Sequence, residues 1–513
     1  MKLLGKLALT IVALLFITSI TLWILAKNIN PETVKKLVNN QITILTHKKS
    51  HVDGAISWQL FPRPGLKFNK IIIGDEQLNE EYSLSIDTML LNLKITPLLR
   101  GKYVFSEVSI DGLTTSVNLD AAQTSKSPDN SASSKSNPTN YGEQFAIERL
   151  LVSRGQITIH KNNHATVFKN LQIGMDQFNL QNSPFTLQIK AKLSEFAANP
   201  LITATINFKG RLSLTPAILS QFPNGINQST SEGQLLLQNV SLNQFVIKKV
   251  SATIKTNKQS IQFNPFTLSL YDGESIGTMD YSYATQQLSL NQTATNLNGK
   301  QIMAVLFGHD ILSGALDYSI HATIPVEKTS ITNISGKGSL AIKNGEIYNI
   351  NLEQLLNSLK EKLANLVPDK SFDLGKIQQQ LTDWDSSKFT HGNTTFKLAS
   401  MQYQFNNGIL SSDSILLQTD KLQVKGQGSL NLSTEELSSK LQASVNNTNN
   451  DPLMQKIQQA LGGYLPLIIS GTLEQPKILP DFKQITPLLG LLIKTNVEKP
   501  VNEIRNRLKG LFH

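Results

Sequence analysis

The stretch Leu422-Gln423-Val424-Lys425-Gly426-Gln427-Gly428-Ser429-Leu430-Asn431-Leu432 decides how the chain reads. Leu422, Val424, Leu430 and Leu432 fall on one side with Gly426 and Gly428 between them. Lys421, Gln423, Lys425, Gln427, Ser429 and Asn431 fall on the other. Successive strand residues point to opposite faces, so this period of two marks a sheet with one dry side. Gly336-Lys337-Gly338 and Gly426-Gln427-Gly428 both lie inside strand-like text. They read as kinks or bulges and not as a phosphate cradle between a strand and a helix.

Working outward, the same alternation recurs. Val104, Ser106, Val108 and Ile110 alternate with Phe105, Glu107, Ser109 and Asp111, and Leu113 to Leu119 continue beyond Gly112, which reads as a hairpin turning at that glycine. Ile157 and Ile159, then Phe185 to Leu193, then Ile202 to Phe208 behave alike, with Gly, Asn, Asp or Pro at the joints. Such spacing predicts antiparallel meanders. Segments 259–295 and 401–444 read as the same succession of strand, turn and Gly-containing strand, which suggests a stacked, extended sheet.

Helices are few. Pro31 opens a short one, and Leu352–Val367 carries Leu352, Leu355, Leu356, Leu359, Leu363 and Leu366 at helical spacing. Leu453–Leu461 is another. In the tail, Val497, Val501, Ile504, Leu508 and Leu511 share a face away from Lys499, Arg505, Arg507 and Lys509. That basic amphipathic segment suits either a cap on the sheet or a helix lying on an anionic leaflet. Residues 121–140 are Ser, Asn, Pro and Lys with nothing to pack, the composition of a linker.

Composition narrows the function. Charged residues are 17%, against about 25% in a typical soluble domain. Hydrophobic residues at 40% rule out a disordered chain. Lys+Arg 48 against Asp+Glu 38 gives +10, spread along the sequence without a basic stripe, so nucleic acid is not an expected partner. Cys is absent, which removes disulfide scaffolds, thiolate metal sites and cysteine nucleophiles. No Walker loop, H-E-x-x-H or G-x-S-x-G occurs. The spaced pairs His47/His51 and His160/His164 lack further ligands and read as surface or turn histidines. No enzyme, cofactor or metal is expected.

Leu7–Ala26 is uncharged, flanked by Lys2, Lys6 and Lys27, and at 1.5 Å per residue spans about 30 Å, the hydrocarbon thickness of a bilayer. Ile24 and Ala26 make a poor cleavage site, so a retained signal anchor is expected, with the bulk of the chain exported. A one-sided sheet of this size must curl over its apolar face or cover it with something else. On the residues alone both a self-covered core and an acyl-chain groove stand open, with Leu422, Val424, Leu430 and Leu432 as candidate lining residues.

The order of motifs resembles the AsmA family of bacterial envelope proteins. Asp53-Gly54-Ala55-Ile56-Ser57-Trp58-Gln59-Leu60-Phe61-Pro62-Arg63-Pro64 is similar to that family's amino-terminal signature. Thr96-Pro97-Leu98-Leu99-Arg100-Gly101 with Val108-Ser109-Ile110-Asp111-Gly112 resembles its "PLL…G…I-x-G" segment. Gly336-Lys337-Gly338-Ser339-Leu340, Asn344-Gly345-Glu346-Ile347, Asn407-Gly408-Ile409-Leu410 and Leu465-Pro466-Leu467-Ile468-Ile469-Ser470-Gly471-Thr472 follow in order. The 121–140 insertion and the tail past Phe482 depart from the pattern.

The resemblance implies a mainly β protein, an elongated, twisted antiparallel sheet or groove with a few short helices and one N-terminal transmembrane helix. It implies a bacterial inner-membrane protein, single-pass, its bulk in the periplasm, that supports outer-membrane biogenesis by shielding or transferring phospholipid. An alternative is a scaffold for outer-membrane assembly proteins that carries no lipid. The expected organisation is a cytoplasmic tip (1–6), an anchor (7–26), an AsmA-like helix and meander (27–120) and a disordered linker (121–142). A central β region (143–330), a C-terminal AsmA-like β region with helices (331–482) and a basic tail (483–513) complete it.

Overall fold

The computed structural model describes residues 39, 50–59, 65–74, 82–94, 103–118, 120, 145–161, 164–179, 181–196, 202–215, 229–242, 244–326, 330–366, 392–446, 451, 454–455, 458–459, 461–481 and 483–485. The expected anchor 7–26, the linker 121–142 and the tail beyond Ile485 lie outside them. Among the described residues no helix is long and apolar enough to cross a membrane. Among the described residues the fold is mainly β, with twenty-two strands and few short helices. The chain divides into two compact units, Met1–Leu270 with Gly277–Thr285, and Tyr271–Ile276 with Gln286–His513.

In the first unit the strands are β1 (Ser50–Val52), β2 (Ile56–Gln59), β3 (Gly65–Ile73), β4 (Tyr82–Leu93), β5 (Tyr103–Asn118) and β6 (Phe145–Lys161), then β7 (His164–Phe178), β8 (Phe185–Phe196), β9 (Ile202–Ser213), β10 (Thr230–Leu242), β11 (Phe245–Thr256) and β12 (Ser260–Leu270). β1 and β2 both pair with β3, and β3 to β5 form an antiparallel run. β6 to β12 form another.

Two expectations are corrected here. No hairpin turns at Gly112, because β5 runs straight through it as one strand. Gly112 has φ +71°, and a Cβ there would sit 2.0 Å from the Asp87 carboxylate, so only glycine fits. Left-handed Lys70, Gly112 and Arg154 fall near one another across β3, β5 and β6, each using up one position of the alternation. Phe68 and Ile71, three apart, therefore both reach the core. The second correction is that β5 and β6 pair in parallel, with Tyr103 beside Phe145 and Asn118 beside His160. Adjacent parallel strands need a crossover of a dozen or more residues, and the intervening segment 119–144 is long enough to make it.

β13 (Gly273–Ser282) is divided between the units. The second unit continues with β14 (Gln287–Asn298), helix α1 (Gly299–Phe307), β15 (Leu312–Pro325), β16 (Ser335–Ile347) and helix α2 (Leu352–Leu366). It closes with β17 (Thr394–Asn406), β18 (Ile409–Gln418), β19 (Leu422–Asn431), β20 (Leu437–Val445), β21 (Leu465–Gly471) and β22 (Pro476–Pro480). From β14 to β22 each strand pairs antiparallel with the next. Asn407 and Gly408, both at positive φ, make the two-residue turn between β17 and β18.

Candidate functional site

Strand register assembles the alternation of single strands into an apolar face. In the second unit one row runs Leu297–Leu316–Ile342–Ala399–Leu417–Val424–Ala443–Leu465 across β14 to β21. Apart from half-buried Ala399, every member is buried. A second row, toward the other end of the strands, runs Leu290–Ala322–Gly336–Phe405–Leu410–Leu430–Leu437 across β14 to β20. Except for buried Ala322 its members are only half-buried. The opposite face carries Ser289, Asn291, His321, Thr323, Lys337, Gln402, Gln404, Lys425, Gln427 and Lys440.

Helix α2 is tied to the strands at the end where the first row lies. Asn351 caps it by accepting from the Gln354 amide at 2.9 Å, and the Thr394 hydroxyl accepts from the Leu352 amide at 3.0 Å. Leu352, Leu355, Leu356 and Leu359 are all buried. The Lys421 ammonium pairs with Glu353 at 2.8 Å, and Lys360 pairs with Asp451. The start of β19 and the start of α2 are thus tied together.

The four candidate residues separate along this gradient. Leu422 and Val424 are 2% and 4% exposed at the closed end. Leu430 belongs to the half-open row, between Leu410 and Leu437. Leu432 lies just past the strand, half-buried, its amide donating to the Gly408 carbonyl at 2.8 Å.

Between the two rows the face holds a satisfied polar chain. The Tyr318 hydroxyl donates to Ser275 Oγ at 2.9 Å, and Ser275 donates to Gln292 Oε1 at 2.7 Å. The Tyr403 hydroxyl crosses β16 and donates to the Ser319 carbonyl at 3.0 Å. Burial pushes the Tyr403 hydroxyl up to about 12 and raises that of Tyr318, so both stay neutral. Gly336 and Gly338 explain how the rings fit. A Cβ on Gly336 would meet the Phe405 ring at 2.5 Å, and one on Gly338 the Tyr403 ring at 2.8 Å. The β16–β17 register is regular at both, so this Gly pair makes room for aromatic rings and is not a kink or bulge. Opposite Gly426 and Gly428 the register with β18 shifts, but the extra residue lies on β18 between Ser412 and Ile415, and β19 pairs regularly with β20 through both glycines, so the bulge is not at the Gly pair.

The first unit repeats the pattern in β7 to β12. Ile173–Ile189–Phe208–Leu235–Ala252–Phe266 form one row, and Ala191–Ile206–Leu237–Val250–Leu268 another across β8 to β12. The Phe208 ring lies over Gly210 and its opposite number Gly233. The sequence showed the alternation of 185–193, 202–208 and 422–432 strand by strand, but not the rows that these residues form together. The signal was present as alternation in 288–294 and 316–324, but register was needed to line it up.

His160 and His164 lie on opposite strands of the β6–β7 hairpin, facing Ala165 and Lys161. Among the described residues no group of three or more His, Asp or Glu is placed to hold a metal.

A mainly β fold, a long open antiparallel sheet with few short helices, is what the motif order implied. The AsmA family model matches residues 1–239 and 213–415, and the chain belongs to that family. Among curated proteins and solved structures none matches.

Proposed function

We propose that this is a non-enzymatic envelope protein, held in the bacterial inner membrane by residues 7–26 with its bulk in the periplasm. In this reading it supports outer-membrane biogenesis by shielding or moving phospholipid along its apolar face. Membership of the AsmA family supports the envelope theme. The observation that carries the lipid reading is the half-buried row from Leu290 to Leu437, an apolar path across seven strands that still meets solvent. Each methylene taken from water onto such a path contributes about 0.8 kcal/mol, so an acyl chain gains several kcal/mol along it.

The test is native mass spectrometry with lipid extraction on the purified full chain, beside Leu430→Asp. Reproducible phospholipid in the parent, depleted in a variant with unchanged circular dichroism, is the expected result. A folded parent that carries no lipid overturns the reading and leaves the scaffold for outer-membrane assembly proteins in its place.

A further inference from the structure

Basic residues spread along the sequence are gathered by register on the polar face of the first unit. Lys190 and Lys192 stand two apart on β8, and Lys209 and Arg211 two apart on β9, all four exposed. Lys190 faces Asn207 and Gln188 faces Lys209, so Lys190 and Lys209 are diagonal neighbours, roughly 7–8 Å apart. Lys249 of β11 extends the cluster, in line with Lys192 through Thr205 and Gln238.

The nearest carboxylates are engaged elsewhere. Glu232, opposite Arg211, is held by Lys255 at 3.1 Å. Glu195 accepts from the Thr166 hydroxyl at 3.1 Å, and Asp176 is held by Arg149 at 3.4 Å. Among the described residues none of Lys190, Lys192, Lys209 and Arg211 is in an ion pair. Cations packed this closely repel one another, and the pairing of β8 with β9 does not require them.

The side chains around the cations select the partner. Thr186, Gln188, Ser194, Thr203, Thr205 and Asn207 stand beside them on this face of β8 and β9, and half-buried Leu236 of β10 faces Asn207. None of these is aromatic, so nothing among them stacks a nucleic-acid base, and one half-buried leucine does not make the cluster of buried anchors that centres a protein interface. Lysines on flexible stems act as mobile point charges, which suits phosphates spread over a plane more than one planar carboxylate. The same unit carries the 7–26 stretch, so if that stretch is inserted, even weak attraction to the leaflet acts at high effective concentration.

We propose that the polar face of β8–β9 docks on a membrane surface bearing anionic phospholipid headgroups. It lies opposite the apolar rows of β7 to β12 in the same unit, and its test reads headgroup approach whether or not the protein carries lipid. The chain has no Cys, so Asn207→Cys places a single fluorophore in the middle of the patch. The labelled full chain is mixed with vesicles of phosphatidylcholine, alone or with phosphatidylglycerol, each carrying a headgroup-linked quencher.

Quenching is expected to rise several-fold with phosphatidylglycerol. It should collapse at high salt, where screening shrinks to a few Å. It should fall to the phosphatidylcholine level in the combined Lys190→Gln, Lys192→Gln, Lys209→Gln, Arg211→Gln variant. The salt titration needs no variant, so a misfolded variant does not protect the proposal. Equal quenching in both vesicles overturns it. So does a label that ignores phosphatidylglycerol but responds to polyglutamate or to an RNA oligonucleotide, which would assign the patch to a protein or nucleic-acid partner.

Discussion

In β3 to β6 the row Phe68–Met89–Ile110–Val152 is withdrawn from solvent, with exposures of 0%, 0%, 1% and 6%. In β14 to β20 the row from Leu290 to Leu437 is built from the same kinds of residue and stays half-buried. The individual strands of both regions alternate alike, so alternation marks which side is apolar and says nothing of what covers it. The first region has the energetics of an ordinary core. The second keeps apolar surface within reach of a ligand, and the closed row beside it, tied to α2, gives the open row a rigid support.

The largest effect expected tests the first region. Phe68→Ala should cost about 3–5 kcal/mol, because a fully buried ring leaves a cavity that its neighbours cannot fill. A shift in urea midpoint corresponding to less than about 1 kcal/mol would mean that β3 to β6 is no closed core.

Next comes a contrast within β19. Val424→Asp buries a carboxylate in the closed row and should cost several kcal/mol, seen as loss of the cooperative thermal transition. Leu430→Asp, in the half-open row, should cost about 1 kcal/mol or less while removing bound lipid. If the two variants destabilise equally, the gradient along the strands is not functional. Because Val424 is buried, lipid loss in its variant would not separate binding from folding, and Leu430 is the informative position.

This contrast also marks how far sequence reasoning reaches. The faces of β19, the helix from Leu352 and the β-rich class were legible, because alternation and helical spacing are local properties. The run through Gly112 was not, since Asp-Gly reads as a turn until the Asp87 carboxylate is seen beside the glycine. The parallel β5–β6 pair was hidden for another reason. A polar segment reads as a linker, whatever direction the chain resumes in. Leu422 and Leu430 looked equivalent because parity carries no information about α2. The cations of β8 and β9 looked scattered because diagonal proximity exists only once register is set.

A smaller effect sharpens the comparison within the open face. Tyr403→Phe removes the donor to the Ser319 carbonyl and keeps the ring over Gly338. The expected cost is about 1 kcal/mol in urea unfolding, with lipid content unchanged, since the apolar surface is the same. Loss of lipid in this variant would make the hydroxyl itself part of the binding surface.

The smallest effect concerns the charged line where the left-handed residues of the first unit meet. The Arg154 guanidinium, helped by the Ser153 hydroxyl at 2.7 Å, lowers the Asp111 carboxyl to about 2 from an ordinary 3.8. A carboxylate depressed by folding adds stability that is complete above its unfolded value and disappears as pH falls through its folded one. The contribution of Asp111 should therefore be whole at neutral pH, begin to fade near pH 4 and be gone near pH 2. The groups are exposed and solvent screens the pair, so its effect on stability is small. Urea midpoints of the parent and of Asp111→Asn should differ slightly at pH 7 and converge as the pH is lowered through that window. A gap that persists below pH 2 would show that Asp111 acts through packing beside Gly112 and not through its charge.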